Sequence, residues 1–102
     1  MAAEPSLPSS EFLNYVLADE IAFDGSPIGR ANLNLLLSLV DAPDVSDRDW
    51  ATFFIAGLNE DGPAIRRALL RAVVDDHVDV RDEALVGLAR RDPAVALERL
   101  PP

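Results

Sequence analysis

The chain has 102 residues, 49% of them apolar and 26% charged, which is enough for one globular domain with a modest core. It has no cysteine, so disulfides, thiol catalysis and thiolate metal sites are excluded, and its longest apolar string, residues 35–40, is interrupted by Ser38 and falls far short of a bilayer span. The net charge of −9 is uneven: residues 1–61 hold eleven acids and two arginines, residues 62–102 seven of each, a balance that argues against a nucleic-acid partner, which would need a basic stripe.

The opening stretch, MAAEPSLPSS, has neither a basic start nor an apolar h-region. No secretory signal or membrane partner is expected, the cytoplasm is the expected compartment, and residues 1–8 are expected to form a flexible N-terminus. Six helices and no strand follow. Three start at prolines preceded by cap-type residues, Ser26-Pro27, Gly62-Pro63 and Asp92-Pro93, because a proline at the first helical position loses no hydrogen bond. They are predicted at 27–41, 63–75 and 93–100. The others start after Ser9 or Ser10, after Ser46 and near Asp79, and are predicted at 10–23, 46–58 and 79–90. In the fourth helix Ile65, Ala68, Leu69, Ala72 and Val73 form one apolar stripe, with Arg66, Arg67 and Arg71 off it. Short connections make neighbouring helices antiparallel.

Helix-forming segments recur. RDWATFFIA at 48–56 lies over RDEALVGLA at 81–89 with an offset of 33, and LNLLLSLVD at 33–41 over RALLRAVVD at 67–75 with an offset of 34. A two-helix unit repeated at such a period predicts an all-α fold of the α-α superhelix class, three antiparallel helix pairs in a short solenoid with units at 9–41, 44–75 and 77–100. DVRDEALVGLARRDP at 79–93 resembles the HEAT-like repeat, the kind also found in phycobilisome-lyase-type proteins: an acidic turn, Val80-Arg81, then Ala84 and Leu88. SDRDWATFFIAGL at 46–58 is similar, with Asp47 where the pattern has valine. The resemblance implies that Arg81 contacts the acidic turn of a neighbouring unit.

The densest polar stretch is DDHVDVRDEA at 75–84, with the only histidine. Asp75, Asp76, His77 and Asp79 could ligate a cation, but there is one imidazole only and adjacent side chains point apart. The reading adopted is an interhelical turn with Asp79 capping the next helix, where a negative charge gains about 0.3–1 kcal/mol. No metal and no cofactor are expected. Asp82/Glu83 and Asp19/Glu20 are sequence neighbours that do not face each other, so paired-carboxylate catalysis is not expected. HEAT-like hydroxylases use His-Glu pairs, whereas His77 is followed by Val78.

The expected function is a non-catalytic protein-interaction module that docks a partner on its concave face. Arg66, Arg67 and Arg71 are the expected anchors for an acidic peptide, with Asn32 and Leu37 as counterparts from the first unit. The bland reading of the same arginines is a solvated face paired with Asp75 and nearby acids. Trp50 and Phe53 form a second candidate, an aromatic patch on the outer side, unless the first helix covers them. Val95, Leu97 and Leu100 have only Glu98 and Arg99 for cover, which raises self-association into a weak homodimer. Two alternatives remain open: an acidic inhibitor or immunity-type protein for a basic partner, and a lyase-type helper implied by the resemblance alone.

Overall fold

A computed structural model describes residues 7–100, and every regular element among them is helical. The helices are α1 Glu11–Leu17, α2 Pro27–Ser38, α3 Val45–Gly57, α4 Pro63–Ala72, α5 Val78–Arg91 and α6 Pro93–Glu98; a 3-10 turn, Leu39–Asp41, prolongs α2. Pro27, Pro63 and Pro93 each open a helix. The Ser26 hydroxyl accepts the Gly29 N–H at 3.0 Å and the Asp92 carboxylate that of Val95 at 3.3 Å, satisfying first-turn donors that have no intrahelical acceptor. Ser10 does the same for Leu13 in α1. Two starts differ from expectation. Asp44, not Ser46, caps α3 by accepting from the Ser46 and Asp47 N–H groups. His77, not Asp79, caps α5: its Nδ1 accepts the Asp79 N–H at 3.2 Å. Asp79 lies in the first turn, where the helix dipole favours it.

The largest departure is α1, which stops at Leu17 instead of running to residue 23. Asp19 adopts a left-handed φ of 60°, and the Glu20 N–H returns to the Tyr15 carbonyl at 3.0 Å, closing the helix. Beyond it Ile21 and Phe23, two residues apart, are both half-buried, which suits an extended segment and not a helix. Gly29 accommodates the return of this segment, since a Cβ there would collide with the Asp24 backbone. The expectation of a free N-terminus also changes where the chain is described. Pro8 is buried, its carbonyl accepts from Asn14 Nδ2 at 2.8 Å, and Ser9 and Ser10 both donate to Asp47. Residues 1–6 of that expectation lie outside the described residues.

The core is one cluster around Leu13, Leu36, Ile55, Leu69, Val80 and Leu88. Burying a side chain of this kind contributes about 1.5–3 kcal/mol. The predicted stripe of α4 is buried as a set. The most extensive helix contact joins α3 and α5, which run side by side with small residues between them. At Gly87 an added Cβ would meet Ala56 Cβ and Leu69 Cδ2 at 2.9 Å.

The 33-residue offset recurs in the hydrogen bonds. Arg48 Nη1 donates to the carbonyls of Ala42 and Pro43, and Arg81 Nη1 to those of Asp75 and Asp76. Arg81 thus meets the acidic turn at 75–76 through its carbonyls, and Arg48 meets the same turn through a side chain, its guanidinium gripping Asp75 with Nε at 2.9 Å and Nη2 at 3.3 Å. Asp47 also finds its reason. It stands at the offset equivalent of fully buried Val80 and is itself buried, because its carboxylate receives the Ser9 hydroxyl at 2.6 Å and the Ser10 N–H at 3.0 Å.

Candidate functional site

The arginines of α4 do not form an open strip. Arg66 bridges Asp61 at 2.6 Å and Asp92 at 3.1 Å, tying the start of α4 to the start of α6. Its hydrogen bonds hold the Asp61 carboxyl down at about 2. Arg71 pairs with Asp41 at 2.7 Å, not with Asp75. Arg67 is exposed, with no ion pair among the described residues. The two counterparts from the first unit have other tasks. Leu37 is a core residue, 9% exposed and part of the same buried cluster as Leu36 and Val40, so it is not the docking residue that was expected. Asn32 donates through Nδ2 to the Ala22 carbonyl at 2.9 Å and so fastens the extended segment after α1.

The polar stretch at 75–84 is a turn held by its own groups. Both Asp75 oxygens face Arg48, and Oδ1 also accepts the His77 N–H at 2.9 Å. Burial would raise the Asp75 carboxyl, but Arg48 and the His77 N–H outweigh it and hold it below its ordinary value. His77 Nδ1 is occupied by its capping bond. No group of three or more His, Asp or Glu among the described residues could hold a metal ion.

Trp50 and Phe53 do come together, with Phe54, along α3, and Trp50 is partly buried against the core. The Trp50 and Phe53 rings meet edge to face at 5.8 Å and 89°, while Trp50 and Phe54 are tilted by 30° at 5.6 Å. The partly buried Phe54 packs against the core; Phe53 stays 51% exposed. Residues 49, 50 and 53 share one side of α3, and Glu83 faces them from α5 at the offset position of Trp50. Together Asp49, Trp50, Phe53 and Glu83 line a groove of about 230 Å³. Neither carboxylate has a hydrogen bond or ion pair with any described residue. Burial, then the charge of Asp79, raises the Asp49 carboxyl against the opposing effect of His77. Burial, then Asp49, Asp79 and Asp82, raises that of Glu83. This is two partly dehydrated carboxylates beside two aromatic rings.

Two further features stand out, of which only the thin cover of Leu97 and Leu100 was expected from the sequence. Arg91, at the end of α5, has a side chain only 5% exposed. It donates to the carbonyls of Ile55, Ala56, Leu58 and Glu60, so it completes the C-terminus of α3, where carbonyls lack intrahelical donors. An arginine pair ending a helix ordinarily reads as solvated charge opposite the dipole, so the sequence carried no signal for this role. The second is an apolar cleft of about 430 Å³ between α5 and α6, bordered by Val86, Leu97 and Leu100, each at least half exposed.

Among the described residues no helix is long and apolar enough to cross a membrane. No family model, curated protein or solved structure matches the chain.

Proposed function

We propose that the chain is a non-catalytic protein-interaction module of the HEAT-like kind that takes its partner on the outer face of α3 and α5. The observation that carries this reading is the groove of Asp49, Trp50, Phe53 and Glu83, which combines exposed aromatic area with carboxylates that no described residue neutralises. Partly exposed aromatic side chains are the usual anchors of protein interfaces. The α4 strip is the weaker candidate, because Arg66 and Arg71 would have to give up bonds to Asp61, Asp92 and Asp41 to engage an acidic peptide. The recurrent arginine-to-carbonyl bonds of Arg48 and Arg81 support the repeat reading.

Affinity capture from a lysate with the wild type, Phe53→Ser and the triple Arg66/Arg67/Arg71→Ala variant tests this. The expected result is a protein retained by the wild type and the triple variant and lost by Phe53→Ser. Loss in the triple variant alone would return the docking surface to the concave side.

The charge balance favours a second reading, an acidic inhibitor-type protein for a basic target, since eleven of the eighteen acids lie in residues 1–61. Association that slows steeply with added salt would mark it.

A further inference from the structure

Resting on the reading of the α3/α5 face as the docking surface, we propose that the groove between Asp49, Trp50, Phe53 and Glu83 holds the guanidinium of an arginine side chain carried by a basic partner. The two carboxylates of the groove accept no hydrogen bond and form no ion pair with any described residue. The cations nearest in sequence are turned elsewhere: Arg48 to Asp75 and the Ala42 and Pro43 carbonyls, Arg81 to the Asp75 and Asp76 carbonyls. The other titratable groups that act on these two carboxylates are Asp79 and Asp82, which add negative charge, and His77, the single imidazole. A positive group entering here replaces like-charge repulsion with attraction.

Size and shape narrow the occupant. A groove of about 230 Å³ is below the roughly 300–1,000 Å³ of pockets that enclose drug-sized ligands, and it suits one long side chain. A planar guanidinium stacks on an aromatic face and pairs with a carboxylate edge at the same time, which a compact ammonium does not. The two carboxylates come from different helices that the α3/α5 packing holds side by side, so the site is assembled before a ligand arrives.

Trp50 is the only tryptophan, so its fluorescence reports on this groove. The full chain is titrated at neutral pH with acetyl-Gly-Arg-Gly-amide, its lysine analogue and its citrulline analogue, the last being neutral and of nearly the same shape. The arginine peptide is expected to shift Trp50 emission saturably, with the lysine and citrulline peptides about tenfold or more weaker. Asp49→Asn/Glu83→Gln is expected to lose about tenfold in affinity, and Glu60→Gln/Glu98→Gln, which removes the same charge elsewhere, about twofold or less. Because the first variant relieves repulsion, it is expected to fold at least as well as the wild type, which a circular-dichroism melt checks. Equal binding of arginine and citrulline, no binding of the arginine peptide, or equal losses in the two double variants overturns the proposal. If the arginine peptide fails while Phe53→Ser still strips the captured partner, only the cation assignment falls. If both fail, the docking face falls with it.

Discussion

Helices α3 and α5 carry similar residues 33 positions apart, yet those residues meet different fates. Ile55 and Leu88 are both sealed in the core, and Phe53 and Val86 are both about half exposed. Ala56, however, is 4% exposed under Gly87 of α5, while its equivalent Ala89 is exposed. Arg48 reaches forward to Asp75, whereas Arg81 bonds only backward to the turn before its own helix. The carbonyls that end α3 are filled by Arg90 and Arg91. The inward positions are therefore equivalent in the two helices, and the side facing the next pair of helices is not. A residue's role depends on what stacks beyond it as much as on its place in the pattern.

That contrast can be broken from its strongest point. Arg91→Met, which keeps the apolar stem, leaves the Leu58 and Glu60 carbonyls without donors, since Ala56 keeps Arg90 and Ile55 keeps the Leu58 N–H, and is expected to cost about 2–4 kcal/mol in urea unfolding, against about 0.5 kcal/mol or less for exposed Arg99→Met. Next is the alanine pair. Ala56→Leu forces a larger side chain against Gly87 and should cost about 1–3 kcal/mol, while Ala89→Leu, facing the open side, should change stability by about 0.5 kcal/mol or less. Equal costs would mean that the two positions are not distinguished by their neighbours.

The arginine pair gives a smaller difference. Arg48→Ala breaks a part-buried ion pair and two carbonyl bonds, Arg81→Ala two carbonyl bonds alone, so the former should cost about 1 kcal/mol more. The difference should vanish in an Asp75→Asn background if it arises from that ion pair.

The smallest effect concerns pH. Asp49 and Glu83 have native values raised above their ordinary ones, so the stability they contribute is present below the unfolded values of 3.8 and 4.5 and is lost as pH rises through the native values. Asp49→Asn/Glu83→Gln should therefore melt above the wild type at neutral pH, with the gap closing as pH falls toward 4.5. Asp61 works in the opposite sense. Lowered to about 2, it contributes stability above 3.8 that is lost as pH falls toward 2, and Asp61→Asn should remove that dependence.

The legible parts of the sequence were those governed by local chemistry. Ser26-Pro27 and Asp92-Pro93 state a cap and a first helical residue together, and the spacing of Ile65 to Val73 states a buried stripe. The end of α1 was not legible, because Ile21 and Phe23 continue an apolar pattern and only tertiary packing selects the extended form. Leu37 fell to the same limit: facing direction in an almost uniformly apolar helix depends on which neighbours arrive. For the groove, Trp50 and Phe53 could be named from the offset, and Glu83 was aligned with Trp50. That the three meet Asp49 across two helices followed only from the packing of α5 on α3.

Arg91 has a consequence for how the chain is completed during synthesis. The carbonyls that it satisfies lie 31 to 36 residues earlier. When the ribosome has made α3 and α4, the end of α3 still lacks its donors and is exposed to water. It can close only after the last residue of α5 has emerged. Chain growth thus sets a checkpoint: α3, α4 and α5 mature together, and any nascent fragment ending before residue 91 should remain a loosely held intermediate that chaperones and proteases can engage.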